Sequence, residues 1–163
     1  MAAIGLGWVA MHRHLPAMDR NKLFHVLGVI DRHEGRAETV ARERRYRHYG
    51  QAARMTDIPW LDEVDAVTVA TPPMSHFALV KEALAANKHV LTEKPFTMTV
   101  DQAEELVTLA HRMGRSLGIV HNFQFSRSAR ALQLDLAHDR IGAIRSVGAI
   151  QFSNPRRRLP SWF

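Results

Sequence analysis

A lysine and a glutamate stand side by side where one of the apolar segments of the chain ends, at Glu93 and Lys94. The chain has 22 basic residues, of which only four are lysines, so arginine supplies most of its positive charge. A proton donor in catalysis needs a titratable ammonium, which a guanidinium is not. Lys94 is therefore the candidate catalytic proton donor, and the alternative is a solvated surface lysine. Pro95 could form a cis peptide bond that fixes the direction of the preceding side chains.

Residues 5–10 read G-L-G-W-V-A and lie between a short apolar segment and a predicted helix. The first glycine permits a tight turn, the second lets the backbone approach a pyrophosphate, and the small third residue allows close packing of helix and strand. The helix N-terminus would offer unpaired N–H groups and a partial positive charge to the phosphates. This pattern predicts a dinucleotide-binding turn, with cofactor contacts from Gly5, Gly7, Trp8 and Val9.

A carboxylate, Asp31, ends the second apolar segment of the chain. Dinucleotide-binding folds place an acidic residue roughly 20 residues after the glycines, where it hydrogen-bonds a ribose hydroxyl. Asp31 favours NAD over NADP, because a 2′-phosphate would meet its negative charge, but Arg32 and Arg36 could offset that charge. We therefore predict NAD or NADP as the cofactor, with NAD slightly preferred. Asp31 could also cap the next helix, and the two roles are compatible.

Further candidate contacts follow the later apolar segments. Ala70-Thr71-Pro72-Pro73, with His76 just beyond, ends a buried run, and open α/β sheets bind ligands at the carboxyl ends of their strands. A proline-rich turn can also be only a stiff connection between strand and helix. The predicted cofactor contacts beyond the glycine-rich turn are Asp31, Arg32, Ala70, Thr71, Pro72, His76, Glu93, Lys94, Pro95 and Asn122.

The elements that must position these residues alternate between apolar segments and helix-like segments, which is the pattern of a parallel sheet. We predict an α/β fold with a Rossmann-type doubly wound parallel sheet, followed by the start of an incomplete α+β domain. Strands are predicted at 2–5, 24–30, 66–70, 89–92, 117–121 and 145–153, with a short strand and a turn of helix within 46–61. Helices are predicted at 8–18 with a kink at Pro16, at 34–45, from a Ser75 cap to 86, from a Thr99–Gln102 capping box to Gly114, and at 128–138.

The composition of the 163 residues narrows the function classes. Without cysteine, the chain has no disulfides, thiol chemistry or thiolate metal site. No metal site is expected from the ten histidines, since His12 and His14 are two apart on a predicted helix and point to different sides. The net charge of +6 is scattered without a nucleic-acid-binding motif, and no apolar run approaches the roughly 20 residues that span a bilayer. We expect no nucleic-acid or membrane partner, and a cytoplasmic location.

The order, spacing and strand context of these motifs resemble the Gfo/Idh/MocA oxidoreductases, of the glucose–fructose oxidoreductase and inositol dehydrogenase type. The features that carry the resemblance are G-L-G-W-V-A, Asp31, V-A-T-P-P with His76, and T-E-K-P. Residues 121–125, Gly142 and the basic strand after it look like that family's entry into its second domain. The resemblance implies an NAD(P)-binding domain at 1–122 and the beginning of a substrate and dimerisation domain at 123–163. The implied function is hydride transfer between a nicotinamide cofactor and a sugar, a polyol or a related hydroxy compound.

On this resemblance, Lys94 would hold and polarise the reacting hydroxyl or carbonyl, and Glu93 would orient Lys94 or face the nicotinamide ribose. Gln124 stands where family members commonly have an arginine, with Arg127 nearby. The family's second catalytic group, usually a histidine, lies in a C-terminal domain that also forms a dimer, so full-length relatives would be homo-oligomers. We expect this chain to end before that domain is complete, to be less stable after about Phe123, and to bind dinucleotide more readily than it turns over a substrate. The alternative is a non-catalytic dinucleotide-binding module.

Overall fold

The computed structural model describes residues 1–150 and Phe152, and the chain divides into two compact units, Met1–Val120 and His121–Phe163. The first unit carries a six-stranded parallel sheet in the order β3-β2-β1-β4-β5-β6. The strands are β1 Ala2–Ile4, β2 Gly28–Asp31, β3 His48–Gln51, β4 Ala66–Val69, β5 His89–Thr92 and β6 Leu117–Ile119. This strand order is that of the Rossmann fold, so the predicted fold class is confirmed.

The helices follow the strands as crossover connections. In the first unit, a π-helical segment at Ala10–His14 leads into α1 Leu15–Arg20, and the later helices are α2 Arg36–Arg44, α3 His76–Ala85 and α4 Val100–Met113. Short 3-10 turns lie at Met55–Asp57, Leu61–Glu63 and Pro73–Ser75. The second unit contains a 3-10 turn at Asn122–Phe125 and α5 Arg127–Ala137.

Two apolar clusters cover the two faces of the sheet. Residues on one face of β1 and β4 pack with α3 and α4, and Val67, Leu84 and Leu106 are completely buried there. On the other face, Leu15 and Val29 are completely buried in a cluster that α1 and α2 complete. Each fully buried side chain of this size contributes about 1.5–3 kcal/mol relative to exposure. The central strands β1 and β4 are apolar except for Thr68 because helices cover both of their faces.

The capping predictions divide into one that is confirmed and one that is wrong. Thr99 caps α4 by accepting the Gln102 N–H at 3.3 Å, and Gly114 ends α4 at φ +62°. The reciprocal bond of the predicted capping box is displaced by one residue, since Gln102 Oε1 accepts the Met98 N–H at 3.2 Å. Ser75 does not cap α3 through its side chain, since its hydroxyl donates to Thr71 Oγ1 and the Pro72 carbonyl, at 2.7 and 2.8 Å. The physical reason is the 3-10 turn that precedes α3: it places Ser75 at φ −96° and ψ −8°, already within the helical region.

The irregularity predicted at Pro16 is present: the helix runs without a break from Trp8 to Arg20, and its winding is π-helical at Ala10–His14, just before the residue that lacks an N–H. Two further predictions need correction. The second strand begins at Gly28 and not at residue 24, because the Leu23 and Phe24 amides close a turn on Asn21. Residues 145–150 form no strand, and the remainder of the strand predicted at 145–153 lies outside the described residues apart from Phe152.

Residues 145–150 have no strand partner in the part of the chain that the structure describes. Val147 and Ile150 are more than four-fifths exposed there, so neither is packed against an apolar surface of the described residues. Within residues 1–150 and 152, no helix combines the length and apolar content that crossing a membrane requires. No cluster of three or more potential metal ligands occurs in the same described part of the chain. The cytoplasmic location and the domain assignment stay predictions.

Candidate dinucleotide and catalytic site

The glycine-rich turn connects the end of β1 to the first helical residue, Trp8. Gly5 has φ +84°, and a Cβ added there would lie 2.6 Å from Thr71 Cγ2 and 2.9 Å from the Ala70 carbonyl carbon. Gly5 is therefore required both by its backbone conformation and by the loop that packs against it. A Cβ added at Gly7 would meet nothing within 4 Å, so this residue faces open space.

The helix starts directly at this open space. The first hydrogen bond of the helix runs from the Met11 N–H to the Gly7 carbonyl, at 3.1 Å. The N–H groups of the first helical turn have no partner inside the helix, and they carry the positive end of its dipole. Trp8 is half exposed beside them and stacks on His12 at 4.8 Å between ring centroids. The turn therefore has room and free donors for a phosphate group.

Asp31 lies at the end of β2 and reaches the glycine-rich turn directly. Its Oδ2 accepts the Leu6 N–H at 2.8 Å, and its Oδ1 accepts the His33 N–H at 2.8 Å. The His33 ring lies 2.8 Å from Oδ1, and an Arg36 guanidinium nitrogen lies 3.6 Å from Oδ2. Gly35, not Asp31, occupies the N-cap position of α2, so the capping alternative is wrong.

The charge of the Asp31 carboxylate is stabilised by these neighbours. Burial would raise its pKa, but hydrogen bonds from the His33 and Leu6 amides and from the His33 ring, together with the Arg36 charge, hold it below its ordinary value. The carboxylate is only 5% exposed. A negative charge is thus fixed beside the glycine-rich turn, with the Arg36 guanidinium close to it.

His76 connects the loop that follows β4 to the loop that follows β5. The side chain is completely buried, with Nδ1 2.7 Å from the Pro95 carbonyl oxygen and Nε2 2.9 Å from the Thr71 carbonyl oxygen. Both ring nitrogens are thus occupied by the loops that follow β4 and β5. A direct contact between His76 and a cofactor stays a prediction. In the structure, the His76 ring connects the backbone of Thr71 to that of Pro95.

Glu93 and Lys94 follow β5 at the same edge. The Glu93 N–H donates to the Val69 carbonyl at 2.8 Å, and the Lys94 N–H donates to Glu93 Oε2 at 3.1 Å. Burial would raise the pKa of Glu93, but hydrogen bonds from His14 and the Lys94 amide, and the nearby charges, hold it below its ordinary value. Lys94 is exposed, and the Lys94–Pro95 peptide bond is cis, as predicted.

From the sequence alone, His14 was considered only as a possible metal ligand and was not included in the site. His14 is 9% exposed, and its Nε2 lies 2.8 Å from Glu93 Oε1 while its Nδ1 lies 3.0 Å from Thr68 Oγ1. The available signal was its position four residues after Ala10, the small residue of the glycine-rich motif. Residues four apart on a helix share a face, so His14 was due to face the sheet with Ala10.

The carboxyl edge of the sheet thus brings together nearly all of the predicted site residues. Asn122 belongs to the second unit, and its predicted contact with a cofactor stays a prediction. Arg32 is exposed next to Asp31. The residues that lie at this edge of the first unit are Gly5, Gly7, Trp8, Val9, Asp31, Arg32, Ala70, Thr71, Pro72, Glu93, Lys94 and Pro95.

Acid is expected to destabilise the chain through Asp31 and Glu93. Their pKa values lie below the ordinary values of 3.8 and 4.5, so the unfolded chain binds more protons in acid than the folded chain does. The stability that these carboxylates contribute is complete above those ordinary values, and it is lost as the pH falls below them and through the lower pKa values of the folded chain. Urea unfolding at several pH values should show this decline, and Asp31→Asn should make it shallower. Asp101→Asn, which alters an exposed carboxylate, is the control, and equal slopes in both variants would contradict the assignment.

Comparison with known protein families identifies the class of protein. The model of an oxidoreductase family with an NAD-binding Rossmann fold matches residues 1–121. The chain therefore belongs to the Gfo/Idh/MocA family of oxidoreductases, and the resemblance inferred from its motifs is confirmed. Members of this family bind a nicotinamide dinucleotide on the Rossmann sheet, which agrees with the glycine-rich turn and Asp31.

Individual relatives agree with this assignment. The chain is 34% identical over 154 residues to dTDP-3,4-didehydro-2,6-dideoxy-alpha-D-glucose 3-reductase from Actinomadura kijaniata, covering 91% of this chain and 44% of that protein. A 3-ketoreductase from Actinomadura kijaniata, in complex with TDP-benzene and NADP, superposes with a TM-score of 0.76 at 31% identity, over 88% of this chain and 45% of that chain. An oxidoreductase from Agrobacterium radiobacter, in complex with NAD+, L-tartaric acid and magnesium, superposes with a TM-score of 0.78 over 87% of this chain and 41% of that chain. At 24% identity, the last likeness shows the fold alone. The chain spans less than half the length of the curated relatives it matches.

Proposed function

We propose that this chain is the cofactor-binding part of an oxidoreductase that transfers a hydride between a nicotinamide dinucleotide and a sugar, a polyol or a related hydroxy compound. The observation that carries the proposal is the hydrogen bond from the Leu6 N–H to Asp31 Oδ2, at 2.8 Å. It joins the glycine-rich turn to the carboxylate that would bind the adenosine ribose. Glu93 and Lys94 lie at the same edge of the sheet, where the reacting end of the cofactor would be.

The residues at this edge fit a dinucleotide. Gly7 faces open space at the start of a helix, so a pyrophosphate can approach the backbone N–H groups there. Asp31 would accept hydrogen bonds from the adenosine ribose, and Thr71, Pro72 and Pro95 would border the nicotinamide half. When bound, the dinucleotide supplies or accepts the hydride. The residues of this chain would bind the dinucleotide, orient it and transfer the proton.

Glu93 and Lys94 would handle the proton that accompanies the hydride transfer. Oxidation of a hydroxyl releases a proton as the hydride leaves, and reduction of a carbonyl takes one up. The Lys94 Nζ would donate a hydrogen bond to the reacting oxygen and exchange this proton with it. Glu93, whose lowered pKa keeps it ionised, would hold a negative charge beside Lys94.

The substrate class rests on the family and on the relatives. One relative is a reductase of a dTDP-linked sugar, and a structural neighbour binds TDP-benzene. Sugars and polyols offer the hydroxyl–carbonyl pair on which Lys94 would act. Assembly of the whole protein into a homo-oligomer, as expected for relatives with the complete second domain, is part of the same proposal.

The cofactor preference of the purified chain tests the site directly. Titration with NADH and with NADPH, followed by nicotinamide fluorescence, gives the two affinities. We expect NADH to bind somewhat more tightly, and Asp31→Asn to move the affinity ratio towards NADPH by about tenfold, or about 1.4 kcal/mol. The reason is that the variant removes the negative charge while Arg32 and Arg36 remain to meet a 2′-phosphate. Asp101→Asn should leave the ratio unchanged.

The outcomes separate two claims. An unchanged ratio in Asp31→Asn would contradict the role of Asp31 in recognising the adenosine ribose. If the folded wild-type chain bound neither NADH nor NADPH, the proposed function would be wrong. Circular dichroism of the same samples establishes that the chain is folded.

A further inference from the structure

His14 is a buried histidine that belongs to none of the motifs of the site. It lies on the π-helical segment Ala10–His14, and its two ring nitrogens contact two other elements of the sheet. Nε2 is 2.8 Å from Glu93 Oε1, and Nδ1 is 3.0 Å from Thr68 Oγ1. His14 therefore connects the helix that follows the glycine-rich turn to the loop that carries Lys94.

The π-helical winding explains how the ring reaches this position. A π turn contains one residue more than an α-helical turn, and such single turns are frequent at functional sites. An extra residue rotates the rest of the helix by about 100° relative to the turn before it. As a result Ala10, His14 and Leu15 are all buried, and the His14 ring points at β4 and at the loop after β5.

Thr68 suits the orientation of this ring. It is completely buried in the middle of β4, and its hydroxyl can either donate to Nδ1 or accept from it. The carboxylate of Glu93 only accepts, so Nε2 carries the proton in the contact with Glu93. The Thr68 hydroxyl completes the second contact whether Nδ1 is protonated or not. The ring is thus held in one orientation, with its Nε2 proton directed at Glu93.

Glu93 is in turn fixed at both oxygens. Oε1 accepts from His14, and Oε2 accepts the Lys94 N–H at 3.1 Å. Without His14, Oε1 would lose its side-chain partner, and the carboxylate could rotate away from the orientation that the loop gives it. The orientation of Glu93 beside Lys94 thus depends on a residue of the first helix.

We infer that His14 is a positioning residue, which holds Glu93 so that the nicotinamide half of the cofactor finds its site already formed. The inference rests on the proposed function, and it goes beyond it by naming a residue outside the recognised motifs. Since His14 is on the helix whose N-terminus would meet the pyrophosphate, it links the two halves of the cofactor site. Its removal should weaken the nicotinamide half selectively.

The test compares two ligands on the intact chain, NADH and ADP. ADP contains the adenosine and pyrophosphate groups but neither the nicotinamide nor its ribose. We expect His14→Leu to weaken NADH about tenfold, which is about 1.4 kcal/mol, and ADP less than about twofold. His14→Gln, whose amide can donate to Glu93, should recover most of the loss. His111→Leu, which alters an exposed histidine on α4, is the matched control and should change neither affinity.

Thr68→Val provides a second route if His14→Leu does not fold. It keeps the shape of the side chain and removes the hydroxyl that orients the ring, so NADH should again weaken more than ADP. Equal weakening of both ligands in these variants would show that His14 only supports the helix, and unchanged NADH affinity would show that Glu93 is positioned without it. Either result overturns the inference and leaves the proposed function standing. A folded wild-type chain that binds neither ligand would overturn both.

Discussion

Replacement of Gly7 by valine is expected to lower the affinity for NADH by about a hundredfold or more, because the pyrophosphate would lose its place at the backbone. Hydrogen bonds to a charged group contribute about 1.5–3 kcal/mol each, so the loss of two of them accounts for a change of this size. The stability of the chain should change little. A Cβ at Gly7 meets no atom within 4 Å, so the valine side chain would extend into the space where a ligand would lie.

Gly148→Val is the matched control for this variant. Gly148 also has open space around an added Cβ, and it belongs to the second unit, whereas the glycine-rich turn belongs to the first. Fluorescence titration with NADH gives the affinities, and urea unfolding gives the stabilities. Retention of affinity within about threefold in Gly7→Val, about 0.65 kcal/mol, would contradict the placement of the pyrophosphate at this turn. So would an equal loss in Gly148→Val.

Much of the fold could be predicted from the sequence because the sheet is buried. The strand β4 was predicted to within one residue, and β5 was predicted with the bounds that it has. Each is a short segment that contains apolar residues and ends at a proline-containing turn. The start of β2 was not predictable in the same way. The turn at Asn21 depends on a side-chain hydrogen bond to the Leu23 amide, and the apolar residues after it read as strand.

The strand predicted at 145–153 shows what a local sequence pattern does not determine, which is whether a partner strand is present. Its alternation of residues is compatible with a strand, but a strand exists only when another strand pairs with it. No partner is provided by the described part of the second unit, and Val147 and Ile150 lie exposed. Pairing depends on residues distant in the chain, so the local sequence could not decide the matter.

Some residues of the candidate site could be predicted from the sequence, and one could not. Gly5, Asp31 and the Glu93–Lys94 pair were found because each lies at the carboxyl end of a strand, the position that parallel sheets use for ligands. His14 was missed because its partners, Thr68 and Glu93, are 54 and 79 residues away along the chain. Its spacing from Ala10 indicates the face of the helix on which it lies, but not these two partners.

Gly5→Ala is expected to be the most destabilising of the glycine substitutions at the site, and Gly114→Ala is its matched control. Both glycines have positive φ, +84° and +62°, so both variants place a side chain in a left-handed conformation at a cost of about 1–2 kcal/mol. Only Gly5 also brings the new Cβ within 2.6 Å of Thr71 Cγ2 and 2.9 Å of the Ala70 backbone. Overpacking adds about 1–3 kcal/mol.

Urea unfolding should therefore show a loss of about 3 kcal/mol or more in Gly5→Ala and about 1 kcal/mol in Gly114→Ala. Thr71→Ser removes Cγ2, and in the Gly5→Ala background it should restore part of the lost stability. The restoration should be incomplete because the contact with the Ala70 backbone remains. In a double-mutant cycle this appears as a favourable coupling between the two positions. Equal losses in the two glycine variants, with no coupling to Thr71, would mean that Gly5 is needed only for its backbone conformation and that the loop after β4 does not press on the glycine-rich turn.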